Sequence, residues 1–215
     1  MKKNRCIIIG ASPDTDIEVI RSYIKKNDKI ACADGGYKYA AQLNIVPYLI
    51  VGDFDSSKRP ELSDTKIIYL PVRKDDTDTV AVIKECLSEG FDEFLLFGMT
   101  GGRTDHTFAN LSVLYKLARL GKTAYMIDKN SIIFIAGKGK TEIKDKKGCG
   151  FGIFPFACEK IEVSLWGFEY ELSRGILSAD YPVGVSNTIV SDNACIELFS
   201  GFCVAVIEKT RRQIT

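Results

Sequence analysis

Residues 93–128 read EFLLFGMTGGRTDHTFANLSVLYKLARLGKTAYMID, and this stretch decides the fold of the first half of the chain. Its two ends, 93–98 and 123–128, are apolar runs that predict buried strands. Between them the pattern predicts a helix that ends at Gly121 and carries one apolar face, formed by Phe108, Leu111, Tyr115 and Ala118. A strand, a helix and a second strand in this order form the basic unit of a parallel sheet.

The same alternation extends towards the N-terminus. A helix with Val80, Ile83 and Leu87 on one face precedes the quoted stretch. Four further apolar runs predict strands, at 5–10, 29–34, 48–53 and 66–71. Strands that are apolar throughout and separated by helices indicate a parallel sheet covered on both faces. We therefore predict an α/β domain with a mostly parallel sheet over residues 1–127.

The helical period disappears after Asp128. The remaining sequence consists of short runs rich in β-branched and aromatic residues, among them SIIFIAG, KIEVSLWG, FEYELS (168–173) and FCVAVIEK. Gly, Lys-Gly or Asp-Asn turns separate these runs, at a spacing typical of sandwiches and barrels. We predict an all-β, sandwich-like domain over residues 128–215.

Composition excludes several classes of protein. The chain has 29 Lys+Arg and 28 Asp+Glu residues, a net charge of +1, which argues against a nucleic-acid partner. No apolar run approaches the roughly 20 residues that span a bilayer, so no membrane partner is expected. The seven cysteines include no pair separated by two residues, and there is one histidine. This pattern argues against a structural zinc site and indicates reduced thiols in a cytoplasmic protein.

Aspartates collect where the predicted parallel strands end. Singly, Asp75 or Thr77 could cap the following helix, and Thr104 could cap the next one. Together, ionised carboxylates at one edge of a sheet repel each other and favour a bound cation. Oxygen ligands select a hard ion such as magnesium or calcium. Magnesium in turn implies a phosphorylated substrate. The aspartates are Asp34, Asp53, Asp55, Asp75, Asp76, Asp78 and Asp105.

The loop GMTGGRTDH (98–106) suits a phosphorylated ligand. Its glycines allow close approach of the backbone, the next helix begins with unpaired N–H groups, and Arg103 can bind phosphate oxygens. The alternative is that the glycines only form a turn and Arg103 pairs with a carboxylate. His106 could be a base, although a hydrogen-bonding or stacking role is favoured.

Five motifs in order resemble the thiamine diphosphokinase family. They are ADGG (33–36), GDFDS (52–56), KDDTDT (74–79), GGRTDH (101–106) and VSNT (185–188). The resemblance implies an α/β domain that binds ATP with magnesium, a β-sandwich that binds thiamine, and a homodimer with active sites between subunits. The implied reaction transfers the terminal diphosphate of ATP to the hydroxyethyl group of thiamine and releases AMP.

The resemblance also implies roles for individual residues, carried over position by position. Four residues are expected to be catalytic: Asp53, Asp55, Asp78 and Arg103. The metal ligands are expected to be Asp53, Asp55, Asp75 and Asp78. The ATP site is expected to contain Asp34, Gly35, Gly36, Gly101, Gly102, Arg103, Thr104, Asp105 and His106. The thiamine site is expected to contain Tyr170, Ser186, Asn187 and Asp78. The GASPD loop (10–14) receives no role.

Three other functions share parts of this pattern. A related diphosphokinase acting on a pterin alcohol would need the same phosphate-binding residues, and the aromatic and small polar groups of the β domain favour thiamine over a pterin. A non-catalytic nucleotide-binding regulator would lack the metal-binding aspartates. A nucleotidyltransferase would release pyrophosphate and leave AMP on its product.

Overall fold

The structure is a computed structural model, and it describes residues 4–54, 60, 62–71, 73 and 75–209. Its internal contacts divide the chain into two compact units, Met1–Lys129 and Asn130–Thr215. The sequence pattern places this boundary after residue 127. Each unit contains buried apolar side chains, such as Ile7 in the first and Phe168 in the second.

Six parallel strands form the centre of the first unit, as far as its described residues go. In chain order its strands are β1 (Arg5–Ile9), β2 (Lys29–Ala33), β3 (Leu49–Gly52), β4 (Lys66–Tyr69), β5 (Glu93–Phe97) and β6 (Thr123–Ile127). Their order across the sheet is β6-β5-β1-β2-β3-β4, and every pairing between neighbours is parallel. The central strands are buried on both faces, as for Ile7 and Ile8 of β1, which explains their continuous apolar sequence. The predicted parallel α/β half is confirmed.

Four α-helices connect these strands, and two of them have side-chain caps. They are α1 (Ile17–Tyr23), α2 (Tyr37–Gln42), α3 (Asp78–Ser88) and α4 (Thr104–Arg119). Asp16 accepts hydrogen bonds from two backbone N–H groups at the start of α1, and Thr77 accepts one from Val80 at the start of α3. None of the described helices combines the length and the apolar character that a membrane span requires.

The described residues of the second unit form eight strands, which pair antiparallel in two sets of four. Its strands are β7 (Ser131–Ala136), β8 (Gly139–Lys144), β9 (Gly150–Pro155), β10 (Lys160–Trp166), β11 (Leu172–Ser178), β12 (Asn187–Thr188), β13 (Asn193–Ser200) and β14 (Cys203–Glu208). One sheet has the order β12-β9-β14-β7 and the other β11-β10-β13-β8. The rings of Phe151 on β9 and Phe168 after β10 are buried, with centroids 4.5 Å apart. The predicted all-β second half is confirmed.

One predicted strand forms only in part. The segment FEYELS (168–173) has strand-like alternation, but β11 begins only at Leu172 and continues to Ser178. Gly167 has a φ of 80°, a left-handed conformation that turns the chain away from β10. The backbone N–H and C=O of Tyr170 then bond to the side chain of Asn187 instead of a neighbouring strand. Side-chain hydrogen bonds at Tyr170 therefore interrupt the predicted strand between the Phe168–Ile189 bridge and β11.

Candidate active site

A cleft of about 710 Å³ lies in the first unit, at the edge of the sheet where the parallel strands end. Three loops and the start of one helix line it. Ser12 follows β1, Asp34 follows β2, Arg103 follows β5, and Asp78 begins α3. Ligands of open α/β sheets bind at this edge, and the volume suits a small molecule such as a nucleotide.

Three carboxylates meet at this edge and are called here the aspartate trio. Asp34, Asp53 and Asp78 are half-buried, and each offers an oxygen atom within 4.8 Å of the other two. They follow β2, follow β3 and begin α3, respectively. A Cβ atom at Gly52 would lie only 2.9 Å from Cα of Asp34. Glycine at this position therefore allows β3 to end next to Asp34.

The backbone conformation and the carboxylate environment of Asp34 are both energetically unfavourable. Its φ is 46°, in the left-handed region, and its Oδ1 atom is buried without a hydrogen-bond partner among the described residues. Burial of an unpaired carboxylate oxygen costs free energy. Two unit charges 4.8 Å apart also repel by roughly 3–4 kcal/mol at an effective dielectric constant near 20. A divalent cation would relieve both costs, and a site with only oxygen ligands fits magnesium.

The trio differs from the predicted metal ligands at two positions. Asp34, which the resemblance placed in the ATP site, belongs to the trio. Asp75 is exposed on the wall of the same cleft and is not part of the trio. Asp53 and Asp78 are common to both sets. The prediction for Asp55 lies outside the described residues.

The loop of residues 98–103, called here the glycine loop, leads from β5 into α4. Gly101 and Gly102 have φ values of 78° and 58°, a left-handed pair that glycine adopts without strain. Thr104 is the first residue of α4 rather than its cap, and Arg103 before it provides no side-chain cap. His106 is exposed and lines the cleft. The start of α4 thus presents backbone N–H groups and a positive dipole end at this edge.

Arg103 forms an ion pair within its own segment. Its Nε and Nη2 atoms bond the two carboxylate oxygens of Asp105 at 3.1 and 2.6 Å, and both side chains are exposed. The hydrogen bond from Arg103 lowers the pKa of Asp105 below its ordinary value. The alternative that Arg103 pairs with a carboxylate is therefore realised in this structure, and a phosphate group would compete with Asp105 for the guanidinium.

Residues 10–14 received no role from the sequence pattern, but most of this segment lies on the cleft. Gly10, Ala11, Ser12 and Pro13 all line it. The position of this segment in the sequence could have predicted its place at the cleft. It follows a buried parallel strand, so it must lie at the same edge of the sheet as the aspartates. Gly35 and Gly36, the other two glycines predicted for the ATP site, lie at the same edge because the short 3-10 turn Asp34–Gly36 follows β2 directly.

Two of the predicted thiamine residues are joined by hydrogen bonds in the second unit. Asn187 is buried, and its Oδ1 accepts hydrogen bonds from the backbone N–H of Tyr170 at 3.0 Å and of Thr188 at 2.8 Å. Its Nδ2 donates to the carbonyl of Tyr170 at 2.9 Å. The ring of Tyr170 is 63% exposed, and Ser186 is exposed with a φ of 60°. The amide of Asn187 therefore fixes the backbone that presents the Tyr170 ring.

Comparisons with known proteins agree on one family. The protein-family model described as "Thiamin pyrophosphokinase, catalytic domain" matches residues 20–126 of this chain. Over 205 residues the chain is 25% identical to the thiamine pyrophosphokinase of Bacillus subtilis, with 93% of this chain and 96% of the relative covered. The crystal structure of thiamine pyrophosphokinase from B. subtilis superposes with a TM-score of 0.87 at 24% identity, covering 97% of this chain and 100% of that one. The enzyme from Geobacillus thermodenitrificans gives 0.85 at 22% identity, with 98% and 99% covered.

Proposed function

Because this chain belongs to the thiamine pyrophosphokinase family, we propose that it transfers the terminal diphosphate of ATP to the hydroxyethyl group of thiamine. The products are thiamine diphosphate and AMP, and the proton of the hydroxyl group is released. The observation that carries the proposal is the aspartate trio beside a cleft large enough for a nucleotide. A buried oxygen on Asp34, which has no hydrogen-bond partner within the described residues, supports a metal at this position.

Diphosphoryl transfer depends on alignment of the reacting groups and on neutralisation of phosphate charge. Asp34, Asp53 and Asp78 would hold Mg²⁺, which when bound neutralises negative charge on phosphate oxygens. Asp55 and Asp75 are proposed as further ligands because they belong to the same two motifs. The start of α4 and Arg103 bind the phosphate groups, with Arg103 leaving Asp105 to do so.

The attacking alcohol is weakly acidic, so a neighbouring carboxylate must accept its proton as the oxygen attacks phosphorus. We assign this role to Asp78, which begins α3 on the wall of the cleft. Gly35, Gly36, Gly101, Gly102, Thr104, Asp105 and His106 complete the proposed ATP site. Tyr170 and Ser186 contact thiamine, with the ring of Tyr170 stacking on the vitamin and Asn187 supporting it.

Assembly and location are also part of the proposal. We propose a homodimer in which ATP and thiamine sites of different subunits form each active site, as the family resemblance implies. Cytoplasmic location is supported by the cysteines, all seven of which are free thiols.

The test is an assay of the purified protein with ATP, Mg²⁺ and thiamine, in which nucleotides and thiamine esters are separated by chromatography. AMP and thiamine diphosphate in equal amounts are expected. ADP with thiamine monophosphate would contradict diphosphoryl transfer, and pyrophosphate release would indicate a nucleotidyltransferase. AMP formation with a pterin alcohol but not with thiamine would favour the other diphosphokinase. No turnover with either alcohol would favour the regulator.

A matched pair of variants tests the site within the same assay. Asp78→Asn removes a carboxylate of the trio and should lower kcat at least a hundredfold, since both its proposed roles are lost. Asp92→Asn makes the same change at a residue that does not line the cleft, where the carboxylate is paired with Lys122 at 2.6 Å. This control should keep kcat within threefold of wild type. Equal effects of the two changes would contradict the assignment.

A further inference from the structure

Two loops at the cleft are joined along their length. The first is residues 10–16, called here the first loop, and the second is the glycine loop. Gly10 N donates to the carbonyl of Phe97 at 2.8 Å, and Ser12 N donates to that of Gly98 at 3.3 Å. A Cβ atom at Gly10 would lie 2.6 Å from the oxygen of Gly98, and one at Gly98 equally close to the oxygen of Gly10. The two backbones are therefore in direct contact.

Side chains of the first loop extend this contact towards Arg103. Ser12 Oγ donates to the carbonyl of Thr100 at 2.5 Å, and Asp14 Oδ2 accepts from the backbone N–H of Gly102 at 3.1 Å. The hydroxyl of Tyr39, on α2, donates to the carbonyl of Ser12 at 2.8 Å. The first loop is thus anchored by α2 and in turn holds the glycine loop.

Asp14 fits the curved backbone of the glycine loop. A Cβ atom at Gly101 would lie 2.1 Å from Oδ2 of Asp14 and 2.9 Å from its Cβ. The carboxylate therefore occupies the space that a side chain at this position would need. Gly102, which donates the hydrogen bond, directly precedes Arg103. One side chain thus contacts the two residues that determine where Arg103 and the start of α4 lie.

Asp14 has no other evident role. It does not cap α1, because Asp16 accepts the hydrogen bonds from Glu18 N and Val19 N. It is exposed, so it adds little to the buried core. It does not line the nucleotide-sized cleft, although Ser12, Pro13, Gly101 and Arg103 do. Asp14 therefore contacts the glycine loop without lining the cleft itself, so its contact with that loop is the basis for a role.

We propose that Asp14 is a positioning residue, whose carboxylate holds Gly101 and Gly102 so that the start of α4 and Arg103 face the phosphate groups of the nucleotide. This inference rests on the proposed function for the identity of the ligand, ATP. The hydrogen bond itself needs only an acceptor oxygen, not a charge. Asparagine can supply that oxygen, whereas alanine cannot.

The first measurement uses the full chain without ligand. Hydrogen exchange of the Gly102 amide, followed by NMR, is compared in wild type, Asp14→Asn and Asp14→Ala. The amide should exchange at least tenfold faster in Asp14→Ala and within threefold of wild type in Asp14→Asn. Equal exchange in wild type and Asp14→Ala would overturn the proposal, because the bond would then not restrain the loop.

The second measurement uses ATP with Mg²⁺, by calorimetry without thiamine and then by steady-state kinetics. Asp14→Ala should raise the Kd and the KM for ATP about tenfold, the upper end of the net contribution of one ordinary hydrogen bond. The KM for thiamine and the melting temperature should stay near wild type. Asp14→Asn should keep the Kd for ATP within threefold.

Two outcomes would overturn the positioning role. Unchanged ATP binding by Asp14→Ala would show that the restraint does not serve the nucleotide. Equal weakening by Asp14→Ala and Asp14→Asn would show that charge matters and the acceptor does not. Failure of the wild type to bind ATP or to convert thiamine would refute the proposed function instead, while the exchange rates would still report whether Asp14 holds the loop.

Discussion

Replacement of Asn187 by alanine should destabilise the second unit. The side chain makes three hydrogen bonds with backbone groups of Tyr170 and Thr188, at 2.8 to 3.0 Å, and it is buried. Each such bond contributes about 1 kcal/mol net, so their joint loss should lower the free energy of unfolding by about 3 kcal/mol. Alanine leaves both N–H groups and the carbonyl without these partners, and this is why we expect the full effect.

The assay is denaturant unfolding followed by tryptophan fluorescence. The chain has a single tryptophan, Trp166, at the end of β10, so the signal reports on the second unit. Asn193→Ala is the matched control, because it makes the same change at an exposed position at the start of β13. The control should stay within about 0.5 kcal/mol of wild type.

Kinetics distinguish a supporting role from direct binding. If Asn187 acts through Tyr170, Asn187→Ala and Tyr170→Ala should both raise the KM for thiamine, and the double variant should be no worse than Tyr170→Ala alone. Tyr170→Ala should unfold near wild type because its ring is 63% exposed. An Asn187→Ala protein that unfolds like wild type but has a raised KM for thiamine would refute the argument and make Asn187 a direct ligand.

Three further predictions concern the metal site, the turn after β2 and one buried thiol. Asp34→Asn should raise the melting temperature without Mg²⁺ and reduce the stabilisation that Mg²⁺ gives, as measured by scanning fluorimetry; an unchanged response to Mg²⁺ would argue against the trio as its site. Gly36→Ala should cost about 3 kcal/mol or more in denaturant unfolding, because its Cβ would lie 2.0 Å from the carbonyl oxygen of Ile9; a loss below about 1 kcal/mol would contradict this contact. Burial raises the pKa of Cys203 from 9.0 to about 12, so the unfolded thiol ionises first and stability should fall as pH rises through this range. Cys203→Ala should show a shallower loss in unfolding titrations at pH 8 to 12, and an identical slope would contradict the assignment.

The sequence predicts the first unit well because its strands are buried on both faces. Continuous apolar runs such as 93–97 have few alternatives once helices separate them, and strand direction follows from these connections. The segment 168–173 shows the limit of the method. Its alternation is as regular as that of a strand, but the partner of Tyr170 is a side chain 17 residues later. Local pattern contains no information about such a bond.

The sequence pattern also does not predict which aspartates form the trio. Sequence places many carboxylates at one edge of the sheet, because parallel strands end there. Which of them come within 4.8 Å depends on the left-handed backbone of Asp34 and on the close approach of Gly52. Asp75 belongs to the same motif as Asp78, but it lies before the helix cap Thr77 and stays exposed. Neither fact can be derived from the spacing of the residues.

Asp34 connects the stability of the first unit with its proposed chemistry. Its left-handed backbone and its buried oxygen, which lacks a partner in the part of the chain that the structure describes, both destabilise the protein without a metal. The adjoining glycines show that the surrounding backbone accommodates this strain, since a side chain at Gly52 would collide with Asp34 and one at Gly36 with the end of β1. Such an arrangement persists where a bound cation offsets its cost. We therefore expect Mg²⁺ to stabilise the fold through the same carboxylates that place it beside the phosphate groups of ATP. The Asp34→Asn variant should separate the stability of the metal-free protein from the stabilisation that Mg²⁺ gives.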